Sequence, residues 1–160
     1  MSTAIRNGFS LKAYEPSDLN AVIDIEYQCY QYPWSRNIFQ QCYTMGYSMQ
    51  LALSCNIISG YCVMSTAMRE AHILNLCVAP SLQNQGIATS LMHHVINEAR
   101  KRNCQRMFLE VRISNIAAQR LYSRLGFNQI GERRNYYRRG FGREDALVLA
   151  KELVSLYQPE

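Results

Sequence analysis

The sequence predicts a single mixed α/β domain that covers all 160 residues. In the first half of the chain, three apolar stretches, residues 49–54, 60–65 and 71–79, follow one another with only turn residues between them. In the second half, helical periodicity alternates with short apolar strands. An apolar content of 48% suits one core at this length, since two domains would each have a thin core.

The elements before the three strands can be predicted from local patterns. Alternation of apolar and polar residues from Phe9 to Ala13 predicts a half-buried strand. The sequence Pro-Ser-Asp at residues 16–18 is typical of a helix start, and apolar residues then recur at helical spacing as far as Glu26. A second short helix is predicted after the Pro-Trp-Ser sequence at residues 33–35.

The middle and C-terminal elements are predicted in the same way. Turn residues at Asn56 and around Arg69 separate the three strands, which predicts an antiparallel meander. Helices are predicted over residues 87–102 and 117–125, and strands over residues 106–111, 127–131 and 146–153.

Positive charge is concentrated in the second half of the chain. Twelve of the seventeen basic residues lie between Arg100 and Arg143, a stretch whose only acids are Glu110 and Glu132. Cations at the end of a helix complement its dipole, so Arg100 and its neighbours can be a solvated face. The same bias also suits a phosphate-bearing ligand or nucleic acid, and the composition leaves both readings open.

Other composition features argue against several classes of protein. The six cysteines include no Cys-x-x-Cys pair and are expected to be reduced, and adjacent His93 and His94 point to different sides of a helix, so no metal site is predicted. No apolar run approaches the roughly 20 residues that span a bilayer, so no membrane contact is expected. The N-terminal sequence lacks a secretory pattern, which predicts a cytoplasmic protein.

The loop between the third strand and the next helix has the properties of an anion site. Pro80 ends the strand, and helical periodicity begins at Ile87, so the first backbone N–H groups of that helix lack partners within it. Gly86 allows a ligand to approach the backbone, and Ala88 keeps the first turn uncrowded. A diphosphate fits, but the loop lacks the lysine of a Walker motif and the three glycines of a dinucleotide fold.

Two motifs resemble the cofactor segments of the GNAT family of N-acetyltransferases. The first is Gln-x-x-Gly-x-Ala, starting at Gln83. The second is Asn-x-x-Ala-x-x-Leu-Tyr-x-x-x-Gly-Phe, starting at Asn115, where Ser114 or Asn115 would cap the helix. The resemblance implies the GNAT fold, an α/β fold with a mixed, mostly antiparallel central sheet flanked by helices.

The same resemblance implies acetyl-CoA as the acetyl donor. Leu76, Cys77 and Val78 would lie along its acetyl-pantetheine arm, where a backbone N–H would polarise the acetyl carbonyl. The remaining residues implied to contact acetyl-CoA belong to the loop and the two helix starts, and they are Gln83, Asn84, Gln85, Gly86, Ile87, Ala88, Thr89 and Asn115.

Four further segments narrow the likeness to bacterial N-terminal alanine acetyltransferases of ribosomal proteins. They are residues 33–35, 109–112, 133–137 and 142–146. The implied acceptor is the N-terminal alanine of a small-subunit ribosomal protein, with Trp34 and residues 133–137 lining the peptide groove. The loop departs from the family's frequent Gln-Arg-Gln-Gly-x-Gly at Asn84 and Ala88, which should weaken phosphate binding without abolishing it, because the backbone amides make the contact.

Amide formation needs a base for the amine and an acid for the leaving thiolate. The resemblance assigns these roles to Glu110 and Tyr122, whereas the residues alone also suit a solvated strand carboxylate and a core tyrosine. A carboxyl with a pKa of about 4.3 is a weak acceptor for an amine of about 7.8, so we expect burial to raise the pKa of Glu110 and a water to assist it. Cys77 has no histidine placed by motif to activate it, which argues against an acyl-enzyme.

Two other functions remain open. Within the enzyme class, the acceptor can be a lysine, a polyamine or another small amine. In a different class, the basic second half can belong to an RNA-binding module on the same fold, although the sequence has no RNA-binding signature. Direct nucleic-acid binding is therefore not expected.

Overall fold

The structure, a computed structural model, describes residues 3–6 and 8–153. Its helices are α1 (Leu19–Cys29), α2 (Arg36–Thr44), α3 (Ile87–Lys101) and α4 (Ile116–Arg124). Its strands are β1 (Thr3–Arg6), β2 (Phe9–Ala13), β3 (Ser48–Ser54), β4 (Ile57–Ala67), β5 (Glu70–Val78), β6 (Arg106–Arg112), β7 (Asn128–Arg139) and β8 (Gly142–Glu152). Short 3-10 turns cover Pro16–Asp18 and Pro80–Leu82.

The strands of the described residues form a mixed sheet in the order β1-β2-β3-β4-β5-β6-β8-β7. The pairs β1–β2, β2–β3, β3–β4, β6–β8 and β7–β8 are antiparallel. Strands β5 and β6 run parallel, from Glu70 opposite Arg106 to Ile73 opposite Leu109. The predicted fold class, a mixed and mostly antiparallel sheet with helices, is confirmed.

The chain divides into two compact units. The first comprises Met1–Ser65 and Leu74–Val95, and the second comprises Thr66–Ile73 and Ile96–Glu160. The core of the first unit has fully buried side chains from α1, α2, β3 and β4, among them Val22, Phe39, Leu51 and Tyr61. In the second unit, Met107, Leu109 and Val111 form the buried face of β6.

Both predicted turns of the meander are present. Cys55 and Asn56, between β3 and β4, have φ values of 50° and 62°, and Met68 and Arg69, between β4 and β5, have 49° and 65°. Two successive residues with positive φ are the signature of the type I′ hairpin turn, whose twist matches that of the strands it joins.

The predicted helix starts are confirmed by their caps. The Ser35 hydroxyl accepts a hydrogen bond from the Ile38 N–H at the start of α2. The Asn115 side-chain oxygen accepts one from the Ala118 N–H at 3.1 Å, which decides between the two candidate caps of α4. No helix in the described part of the chain combines the length and apolar character needed to span a membrane.

The β7–β8 hairpin is longer than the sequence indicated. Strands predicted over residues 127–131 and 146–153 extend to Arg139 and back to Gly142. Almost every side chain of β7 is exposed, so the strand has no buried face and therefore no alternating apolar pattern. The backbone ladder with β8 holds it, and this pairing is invisible in the local sequence.

Candidate functional site

The predicted phosphate loop lies in the first unit. Strand β5 ends at Val78, the Gln83 side-chain amide donates to the Val78 carbonyl at 3.1 Å, and α3 begins at Ile87. The first-turn N–H groups of α3 have no acceptor within the helix, which makes this end favourable for an anion. The loop has the predicted form, and the binding of a pyrophosphate to it stays a prediction.

Two loop residues adopt left-handed backbone conformations. Asn84 has a φ of 60° and Gly86 a φ of 85°. A Cβ built on Gly86 would meet no atom within 4 Å, so nothing in the chain itself crowds this position. The chain requires glycine here for its backbone conformation, which adds to the sequence argument from close approach.

The strand segment predicted to lie along the pantetheine arm is anchored on its carbonyl groups. The Tyr30 hydroxyl donates to the Leu76 carbonyl at 2.9 Å, and the Cys29 thiol donates to the Val78 carbonyl at 3.3 Å. Between them, the Cys77 carbonyl would lie only 2.8 Å from a Cβ on Gly60. Sequence reasoning missed Gly60, whose only signal was a glycine inside a strand, a residue type that often marks close backbone approach.

Cys77 does not have the properties of a nucleophile. Its side chain is buried, and burial, with the neighbouring Cys29, raises the pKa of the Cys77 thiol well above its usual range. The nucleophilic form of cysteine is the thiolate, so a thiol that stays protonated at neutral pH is unreactive. The geometry thus agrees with direct transfer.

A buried carboxylate of the first unit was not singled out from the sequence. Glu26 on α1 is 2% exposed and accepts hydrogen bonds from the Trp34 N–H at 2.9 Å, from the Asn75 side-chain amide at 2.9 Å and from the Tyr61 hydroxyl. An acid at an apolar position of the helix pattern was the available signal, because a buried charge needs such partners. Glu26 fixes the backbone of Trp34, a predicted groove residue.

The predicted base lies in the second unit, on the half-exposed face of β6. Glu110 alternates with buried Leu109 and Val111, as predicted, and its own side chain is 9% exposed. The His72 Nε2 lies 2.6 Å from its Oε2, and the Arg133 Nε lies 3.4 Å from its Oε1. Both carboxylate oxygens therefore have a nitrogen partner.

The expected rise in the Glu110 pKa is wrong. Burial acts to raise it, but the hydrogen bond and charge of His72, together with the charge of Arg133, lower the pKa of the carboxyl below its ordinary value of 4.5. These partners come from β5 and β7, which are distant in sequence, so the argument from burial alone could not include them.

A second polar cluster lies on β6, β7 and β8. The Arg112 Nη1 lies 2.8 Å from the Glu144 Oε1, and the guanidinium stands 4.4 Å from the centroid of the Tyr137 ring. Burial, with the charges of Tyr136 and Glu110, raises the pKa of Tyr137. The structure thus brings two residues of the predicted groove segment, Arg133 and Tyr137, into the surroundings of Glu110.

Tyr122 is buried in the second unit. Its side chain is 7% exposed, and its ring makes an edge-to-face contact with Phe127 at 5.7 Å between centroids. Packing of this kind is compatible with a core role and with a general acid, so its part in the chemistry stays a prediction.

The second unit also contains a cavity of about 620 Å³ that includes no predicted site residue. It is lined by basic and acidic side chains, including Arg69, Arg100, Glu70 and Glu152. Its lining therefore gives no reason to move the predicted site.

Comparison with known proteins identifies the family and, with it, an acetyltransferase. The acetyltransferase (GNAT) family matches residues 19–127, and the chain belongs to it. Members of this family use acetyl-CoA as the acetyl donor.

Individual relatives cover nearly the whole chain. It is 36% identical over 142 residues to the ribosomal protein bS18-alanine N-acetyltransferase of Escherichia coli K12, covering 88% of this chain and 95% of the relative. The enzyme of that name from Haemophilus influenzae is 32% identical, with coverages of 85% and 93%. The crystal structure of the ribosomal-protein-S18-alanine N-acetyltransferase from Escherichia coli superimposes with a TM-score of 0.86 over 91% of this chain and 94% of that one.

Proposed function

We propose that this enzyme transfers the acetyl group of acetyl-CoA directly to the α-amine of the N-terminal alanine of a bacterial small-subunit ribosomal protein. The observation that carries the proposal is the polar cluster around Glu110, because it joins the 109–112 strand to Arg133 and Tyr137 of the predicted groove segment. Relatives with this specificity in their names match 88% and 85% of this chain.

Most of the residues proposed to bind the acetyl donor, acetyl-CoA, belong to the first unit. Acetyl-CoA supplies an activated acetyl group, and coenzyme A leaves as a thiolate. Residues 84–89 bind its pyrophosphate through the backbone of the loop and of the first turn of α3, and Gln83 belongs to the same cofactor-binding loop. Leu76, Cys77 and Val78 bind the pantetheine arm, and Asn115 contacts the donor from the cap of α4.

The remaining roles concern protons. Glu110 provides the carboxylate that draws the proton from the attacking amine, directly or through a water, and Tyr122 returns a proton to the thiolate sulfur. Arg133, Tyr137 and the Trp34 segment position the acceptor peptide. The enzyme is proposed to act in the cytoplasm, without a membrane or nucleic acid as partner.

The fraction of each amine that is neutral at pH 7 favours an α-amine over a lysine as the acceptor. At pH 7 an α-amine with a pKa near 7.8 is neutral about 340 times more often than a lysine near 10.4. Since ribosomal proteins are usually basic and this chain carries +5, long-range steering opposes the encounter. Recognition of the acceptor is therefore local.

The test is a competition between two peptides, followed by mass spectrometry. One is an alanine-starting ribosomal N-terminal peptide with a free α-amine, and the other is the same peptide with a blocked N-terminus and one lysine. Faster acetylation of the first supports the proposal. Faster acetylation of the second makes the enzyme a lysine acetyltransferase, and salt-sensitive RNA retention on a filter without acetylation of either peptide makes it an RNA-binding module.

A further inference from the structure

One contact of the predicted base involves a residue outside every motif discussed above. His72 lies near the start of β5, opposite Phe108 in the parallel pairing with β6. Paired residues share a face of the sheet, and Glu110 is two positions beyond Phe108 on that face. This register explains why the His72 Nε2 lies 2.6 Å from the Glu110 Oε2.

The chemistry of the two groups fixes how they share a proton. An ionised carboxylate only accepts, so the Nε2–H of His72 donates to Oε2, and in the neutral ring Nδ1 then carries a lone pair. The His72 side chain is 37% exposed and that of Glu110 is 9% exposed, so the imidazole is the more accessible member of the pair.

The surroundings make Glu110 alone a weak proton acceptor. Besides His72, the charged or titratable groups around it are Arg133 from β7, with Nε 3.4 Å from Oε1, and Tyr137 on the same strand. The hydrogen bond from His72 on Oε2 and the Arg133 cation near Oε1 both favour the ionised carboxylate. The neutral imidazole of His72 offers a lone pair on Nδ1, whereas both oxygens of the Glu110 carboxylate already have a nitrogen partner.

We propose that His72 and Glu110 form a base dyad, in which Glu110 orients the imidazole and His72 accepts the proton of the attacking amine. The inference rests on the proposed function and deepens its site, since His72 replaces the direct or water-assisted transfer of the amine proton to Glu110. As the amine nitrogen forms its bond to the acetyl carbon and the carbon–sulfur bond breaks, the amine proton passes to Nδ1 of His72. The proton from Tyr122 neutralises the thiolate, so charge and atoms balance.

The test compares two substitutions of His72 with a matched control. His72→Gln keeps an N–H donor for Glu110 but cannot accept a proton, His72→Ala removes both, and His93→Gln changes an exposed histidine of α3. Both His72 variants are expected to lose about 10²-fold in kcat at neutral pH while acetyl-CoA Kd stays unchanged, and the control is expected to keep its turnover.

Two results would overturn the dyad. If His72→Gln retains turnover while His72→Ala loses it, His72 only positions Glu110. If both variants retain turnover, it has no part in the reaction.

A measurement that needs no acceptor separates this inference from the proposed function. Nitrogen-15 NMR of the ring should show His72 protonated on Nε2 and not on Nδ1 at pH 8, with its signal identified by its loss in His72→Gln. The opposite tautomer refutes the dyad even if the alanine peptide is acetylated. Failure to acetylate that peptide, with the expected tautomer present, refutes the proposed acceptor and leaves the pair standing.

Discussion

Replacing Gly60 with alanine tests the close approach of β4 to β5 in the first unit. The new Cβ would lie 2.8 Å from the Cys77 carbonyl oxygen, 3.3 Å from a Val78 methyl and 3.4 Å from an Ile87 methyl. The nearest of these atoms belongs to the backbone, so the contact can be relieved only by moving a strand.

Overpacking of this kind costs about 1–3 kcal/mol, and in a protein of this size each kcal/mol lowers the Tm by about 2–4 °C. We therefore expect Gly60→Ala to unfold roughly 2–12 °C below the unsubstituted protein in thermal denaturation. Because the displaced carbonyl belongs to the predicted pantetheine segment, acetyl-CoA Kd should rise as well.

Gly131→Ala is the matched control, because a Cβ at Gly131 on β7 would meet no atom within 4 Å. Its Tm should stay within about 2 °C of the unsubstituted value, in keeping with a surface change of at most about 0.5 kcal/mol. If Gly60→Ala melts as high as this control, β4 and β5 are not as close at Gly60 as the structure shows.

Four further outcomes are expected. Glu110→Gln should lower kcat by about 10²-fold at neutral pH with acetyl-CoA binding intact, and near-normal turnover would remove Glu110 from the base. The pKa of Glu110 is below its ordinary value, so its ionised form stabilises the fold at neutral pH, and this contribution is lost as pH falls through the lowered pKa. The difference in Tm between the unsubstituted enzyme and Glu110→Gln should therefore become smaller in acid. A difference that stays constant with pH would contradict the direction of the pKa shift. Tyr122→Phe should slow turnover to a similar degree while keeping its ring contact with Phe127, and a lower Tm as the sole defect would make Tyr122 a core residue only. Gly86→Val should mainly raise acetyl-CoA Kd, since a branched residue is strained at a φ of 85° and crowds the ligand's approach, and an unchanged Kd would place the phosphate elsewhere.

The parts of the fold that local chemistry determines were predictable from the sequence. The helix start after Ser35, the Asn115 cap, the turns at Asn56 and Arg69 and the start of α3 at Ile87 each depend on a few neighbouring residues. The alternation that turns Glu110 away from Leu109 and Val111 is also local.

Features that depend on pairing between distant segments were not predictable. The full length of β7 follows from its ladder with β8, and the lowered pKa of Glu110 follows from His72, 38 positions away, and from Arg133. The partners of Glu26 lie 8, 35 and 49 positions along the chain. The sequence shows such groups one at a time, and only the register of the sheet brings them into contact.

In the β7–β8 hairpin, the backbone pairing maintains the fold, and most β7 side chains are exposed and can be substituted. Its ladder is made by backbone groups, and most β7 side chains face water, so a substitution at exposed Arg134 changes little in stability, about 0.5 kcal/mol or less. Single substitutions on this exposed surface can therefore change which acceptors bind without unfolding the protein. Arg133 and Tyr137 would remain next to the Glu110 carboxylate.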